Sequence, residues 1–201
     1  MRRLAVLVAL AALIAAPAAR ADGDPASDYL ISQKVFFPYD LKIAPATQQQ
    51  LVALVDEANR AGLKIRVAMI WSSYDLGSIT GLWRKPQTYA RFLGEELRYL
   101  YRDRLLIVMP NGFGFNRPGH PVTKETATLS KIRIEPGPAG FVDATRTAVE
   151  QLAAASGVKL TGTVAAKGTS QNRDRLIIVA GAIAVLLLAI ALRLVLRRRR
   201  S

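Results

Sequence analysis

Apolar residues change their spacing several times along this chain, and each change marks an element. Leu51, Leu54, Val55 and Ala58 recur at helical intervals within 47–61, with Thr47 as N-cap, Asp56 and Glu57 outward and Gly62 as the stop. The run Lys64-Ile65-Arg66-Val67-Ala68-Met69-Ile70-Trp71 alternates at first and then becomes continuously apolar, as a strand does on entering a buried sheet. A loop over 72–85 leads to Pro86, which suits the first turn of a second amphipathic helix. There Tyr89, Phe92, Leu93, Leu97 and Leu100 share one face, and Arg91, Glu95, Arg98 and Arg102 the other. Residues 105–109 form another buried-strand signature. Strand, helix and strand at this spacing predict a parallel crossover. Pro110-Asn111-Gly112 ahead of Phe113-Gly114-Phe115 predicts a tight hairpin.

Upstream, 31–39 is rich in aromatic and β-branched residues and reads as extended. Asp22, Asp24 and Asp28 precede it in a turn-rich stretch that reads as a solvated entry linker, since no glutamate follows at calcium-loop spacing. A last helix is expected over 141–155 with Val142, Thr145, Val149 and Leu152 inward. The fold class is therefore α/β, one domain over 22–155 with a small mixed, partly parallel sheet.

The two ends follow another logic. Met1-Arg2-Arg3, an apolar run to Ala16, Pro17 and then Ala19-Arg20-Ala21 read as a signal peptide over 1–21, cleaved after Ala21. Small polar residues over 156–175 form a linker, and 176–196 is apolar enough to span a bilayer if Arg193 snorkels to the headgroups. Arg197, Arg198, Arg199 and Arg200 open the 197–201 tail and keep it on the cytoplasmic side, so the α/β domain is expected outside a cell membrane crossed once.

This topology accounts for most of the formal net charge of +13. The three arginines of 1–21 and the seven of 173–201, offset there only by Asp174, leave the segment between them at +4, with its charges interspersed. Such a surface lacks the concentrated basic stripe of a nucleic-acid binder. The absence of cysteine excludes disulfides, thiol nucleophiles and thiolate metal sites. His120, the single histidine, excludes a multi-histidine zinc centre and sits in a Gly-His-Pro loop.

In open α/β sheets ligands gather at the carboxyl ends of parallel strands. Here those ends carry Ser72, Ser73, Tyr74 and Asp75 after one strand and Asn111 after the next. Asp75 and Asn111 offer oxygen to a hard cation such as Ca²⁺ or Mg²⁺, although the same residue types also build turns and hairpins. The aromatic stretch Val35-Phe36-Phe37-Pro38-Tyr39 is a candidate contact surface for a partner.

The order of these elements resembles the TPM domain family, exported α/β/α sandwich domains commonly tethered by a transmembrane helix. The resemblance runs over about 28–155 and is carried by 51–62 leading into the strand at Ile65, by Thr88-Tyr89-Ala90-Arg91-Phe92-Leu93, and by Arg104-Leu105-Leu106-Ile107-Val108-Met109-Pro110 before the glycine-rich hairpin. It is closest in character to a bacterial branch of such membrane proteins. Where family members continue with a charged strand, this chain has Asn116-Arg117-Pro118-Gly119-His120-Pro121. The resemblance implies assembly of membrane complexes, receptor modulation or phosphatase activity. A tethered binding or assembly module acting on another membrane or envelope protein is the first expectation, and a metal-dependent phosphohydrolase at the Asp75 and Asn111 rim the alternative.

Overall fold

Asp24 and Pro25 carry a helix signal: an acceptor side chain at the N-cap and proline at the first helical position. The computed structural model describes residues 23–161. The expected export signal with Ala19 and Ala21, the span over 176–196 and the arginine tail lie outside the described residues. Among the described residues no helix is long and apolar enough to cross a membrane.

The first helix, α1 (Pro25–Ser32), replaces the solvated linker and part of the extended stretch that the sequence suggested. The Asp24 carboxylate accepts from the Ala26 N–H, and Ala26 and Leu30 are fully buried. Only Val35–Phe36 of the extended stretch pairs as a strand, β1. Helix α2 (Pro45–Arg60) starts before the expected Thr47, at Pro45 with Ala44 as its cap residue. It ends where expected, at Gly62, whose φ of +104° suits glycine. Asn59 then stitches this helix to the next strand: its side-chain amide donates to the Ile65 carbonyl and accepts from the Ile65 N–H.

Strand β2 (Ile65–Met69) lies parallel to both β1 and β3 (Arg104–Met109), and β4 (Gly112–Asn116) returns antiparallel to β3. The sheet order is β1-β2-β3-β4, a mixed α/β architecture with the crossover and the hairpin that the sequence predicted. Helix α3 (Pro86–Glu96) stops short of Leu100, which is 64% exposed rather than on the buried face. Two later helices are α4 (Thr123–Leu129), which the sequence reading did not anticipate, and α5 (Gly137–Ala155), which starts earlier than expected.

Strand alternation divides the core in two. Ile65, Val67, Met69, Leu106 and Val108 pack with α2 and α5, while Ala68, Ile70, Leu105, Ile107 and Met109 pack with α1 and α3. The β4 edge is closed by side chain and backbone from α3. Gln87 donates to the Phe115 carbonyl and accepts from the Phe115 N–H, standing in for a further strand. Gly114 lies so close beneath Pro86 that a Cβ there would come within 2.0 Å of the Pro86 carbonyl oxygen.

Candidate functional site at the carboxyl edge of the sheet

The chain leaves β2 into a 3₁₀ turn, Ser73–Leu76, that is closed by its own side chains. Ser72 accepts from the Tyr74 N–H, and Asp75 reaches back to accept from the Ser72 N–H at 3.0 Å, a reciprocal capping box. Asp75 is fully buried and does more. One carboxylate oxygen also accepts from the Trp71 N–H at 2.8 Å, and the other accepts from the Tyr39 N–H at 2.9 Å. A single carboxylate thereby holds the exits of β1 and β2 together, across 36 residues of sequence.

This bonding changes how Asp75 reads. Both of its oxygens serve backbone donors, so a cation would have to displace bonds that define the turn. Asn111 is exposed in the β3–β4 hairpin and donates its amide to the Arg84 carbonyl at 2.7 Å, tying the hairpin to the loop before α3. Arg84 has a φ of +60°, unusual for a side chain of its kind, and this bond helps to hold it. Asn111 lines a concavity with Gln87, Phe113 and Thr126, whereas Ser73 and Tyr74, the neighbours of Asp75, line another. Among the described residues no group of three or more acidic, histidine or cysteine side chains could hold a metal ion. Hydrogen bonding accounts for Asp75 as the residue that holds the turn after β2 and for Asn111 as the one that ties the hairpin to the loop before α3. His120 is exposed, following the Arg117 turn.

What the strand ends do assemble is aromatic. Tyr29 meets Phe36 at 5.8 Å, Phe36 meets Tyr39 at 5.5 Å and Tyr39 meets Tyr74 at 6.1 Å, each edge to face. Such pairs contribute about 1 kcal/mol each beyond their buried area. Phe36 anchors the series in the core, whereas Tyr39 and Tyr74 are 60% and 72% exposed. The two tyrosines form one wall of a cleft of about 500 Å³ whose remaining lining is Pro25, Ser73, Gly77 and Thr80. No lining residue is charged. The Tyr39 phenol is pushed above its ordinary range, by desolvation first and then by the Asp75 charge, so it stays a neutral hydroxyl. Gly77, at φ +55°, lets the turn pass against Gly23 and Pro25, where a Cβ would lie 2.4 Å from the Gly23 carbonyl oxygen.

Sequence reasoning missed Asp24. It lies beneath this edge, 5% exposed, and accepts from the Tyr89 hydroxyl at 2.8 Å and from the Ala26 N–H at 3.1 Å. Burial raises its pKa to about 6; the Tyr89 and Ala26 bonds oppose the shift, while Glu96 and Asp28 add to it. The Tyr89 phenol is pushed well upward by desolvation and by Asp24. The Asp-Pro pair at 24–25 was a legible cap signal, but its burial depends on a tyrosine 65 residues away.

No family model matches the chain, and no curated protein matches it.

Proposed function

We propose that the protein is a membrane-tethered, extracytoplasmic binding or assembly module, and that the rim formed by Tyr39 and Tyr74 is the surface through which it holds another membrane or envelope protein. In this reading the domain is an α/β/α sandwich of the TPM kind, exported by its first 21 residues and tethered to the lipid bilayer by 176–196. The observation that carries it is the uncharged cleft with two exposed tyrosines on one wall. Tyrosine gives a large rigid contact area with a hydrogen-bonding tip at little conformational cost, which suits partner binding. The same cleft contributes no acid, base or nucleophile pair to a reaction.

The test is capture from native membranes with the full chain solubilised in detergent. A specific partner recovered by the parent and lost from a Tyr39→Ala/Tyr74→Ala double variant that still unfolds cooperatively, well above the temperature of the capture, is the expected result. A partner held equally by both proteins would remove the rim from the account, and recovery of no specific partner would remove the function.

A further inference from the structure

We propose that the amino edge of the sheet, where Lys34, Lys64 and Arg104 lead into the three parallel strands, seats on an anionic phospholipid bilayer through Tyr99 and Leu100. This inference rests on the tether proposed above and not on the tyrosine rim.

The turn between α3 and β3 reads Leu97-Arg98-Tyr99-Leu100-Tyr101-Arg102. The fold fixes both ends of it. Leu97 is 1% exposed, and its carbonyl accepts from the N–H groups of Leu100 and Tyr101. The Tyr101 hydroxyl donates to the Arg104 carbonyl at 3.0 Å, and the Arg66 guanidinium lies 4.1 Å from the centre of the Tyr101 ring. Between these anchors Tyr99 and Leu100 stand 79% and 64% exposed, so their exposure comes from a closed turn rather than from a loose end. Ile31 adds a third exposed apolar side chain, at 47%, and its carbonyl accepts from Arg66 at 3.4 Å.

Cations surround these three. Arg98 lies over the Tyr99 ring at 4.9 Å, and Arg102 donates from Nε to the Arg98 carbonyl at 2.9 Å. Glu95 pairs with Arg98, Asp103 with Arg104 and Asp56 with Lys34, whereas Arg102 has no acidic partner among the described residues. Lys64 and Glu96, both exposed here, offset each other. An aromatic and an aliphatic side chain at a tip flanked by arginines suit the headgroup level of a bilayer: the apolar groups enter the acyl boundary while the guanidinium groups reach the phosphates. Three side chains are too few to fill a protein interface, which takes about 800 Å² from each partner.

The path of the chain gives the bilayer its place. Helix α5 begins at the other edge of the sheet, beside the entry of α2, where Lys42, Thr47, Asp143 and Arg146 line a cleft of about 350 Å³. Phe141 in its first turns meets Trp71, just beyond β2, at 5.2 Å. The 19 residues of α5, about 28 Å, then carry the chain away from that edge. Residues 162–175 separate the described domain from the apolar stretch 176–196, and even fully extended they reach no more than about 50 Å. A tether leaving at this end brings the amino edge, rather than the tyrosine rim, to the bilayer, and its short reach raises the effective concentration for a weak lipid contact.

The chain contains no cysteine, so one introduced cysteine carries a spin label at a single position. The experiment labels Leu100→Cys, and separately Tyr74→Cys at the opposite edge, in the full chain reconstituted into phosphatidylcholine vesicles with about one-third phosphatidylglycerol. Relaxation reports collisions of the label with oxygen, which concentrates among acyl chains, and with a water-soluble nickel chelate. At position 100 oxygen collisions should rise and nickel collisions fall about fivefold relative to position 74. Adding Tyr99→Asp should return the label to water, and Arg102→Gln or vesicles of phosphatidylcholine alone should reduce the protection about twofold. Tyr99 is largely exposed, so this variant keeps the fold, which cooperative unfolding verifies. Vesicle-bound chain whose labels at 100 and 74 meet nickel equally overturns the inference and leaves the tether standing, whereas chain that does not stay with the vesicles removes both. Protection from nickel and oxygen alike means cover by a second copy of the protein, and this too overturns the inference, as does protection indifferent to Tyr99→Asp.

Discussion

Two clefts flank the carboxyl edge of the sheet, and they are built in opposite ways. On the α1 side the polar groups are consumed internally. Asp75 satisfies three backbone N–H groups, Ser72 a fourth, and what is left facing solvent is neutral and aromatic. On the α2 and α5 side the helix entries have no side-chain caps, and Arg146 lines the cleft beside Asp143, to which it donates at 3.4 Å. The difference teaches that a carboxylate at a strand end is not by itself a ligand site. What decides is whether its oxygens are already occupied, and those of Asp75 are.

The largest expected effect breaks the first half of this contrast. Asp75→Ala strands three buried or half-buried N–H groups and unhooks β1 from the β2 exit, and should lower stability by about 3 kcal/mol or more, measured by denaturant unfolding of the full chain. A metal ligand replaced by alanine would show no such loss without the metal. Arg146→Lys, which retains the charge across the sheet, should cost far less.

Asp24 gives the next effect, and it depends on pH. Its pKa rises from the ordinary 3.8 to about 6 in the fold, so the folded state holds the proton more tightly. The stabilisation is complete below pH 3.8 and is lost as pH climbs through about 6, by about 3 kcal/mol at most. Asp24→Asn should flatten the dependence of melting temperature on pH across that window. A slope unchanged in the variant would assign the titration to another group.

Gly77→Ala probes how the neutral cleft is closed. The added methyl meets the Gly23 carbonyl and Pro25 at a positive φ, and a loss of about 1–3 kcal/mol is expected in thermal unfolding. At the small end, Tyr39→Ala and Tyr74→Ala should each change stability by little more than about 0.5–1 kcal/mol, because their rings are mostly solvent-exposed.

The framework of the fold was legible because it rests on local periodicity. The alternation at Ile65 to Met69, the run at Leu105 to Met109 and the turn at Pro110 and Asn111 are signals contained within a few residues, and the strands pair as those signals imply. What escaped is nonlocal. The stretch containing Asp24 and Asp28 is acidic in composition and was read as solvated, but Asp24 caps α1 and meets Tyr89 in the core. Helix α4 is too short to show a period. Ser72 to Asp75 follow β2, as the spacing predicts, yet what Asp75 does depends on the Tyr39 N–H, 36 residues upstream. No local pattern tells whether a carboxylate faces a ligand or the backbone of another strand. The tyrosine pair was half visible, since Tyr74 stood among the candidate residues and Tyr39 in the aromatic stretch, but their contact at 6.1 Å belongs to the fold.

The most direct measurement places a photo-crosslinking amino acid at Tyr74 in the full chain, expressed in its native cells, and reads the adducts by mass spectrometry. The account predicts one dominant adduct with a membrane or envelope protein, greatly reduced when Tyr39→Ala is added and retained when Asn111→Ala is added. Absence of any protein adduct, or one insensitive to Tyr39, would contradict a binding module that works through this rim.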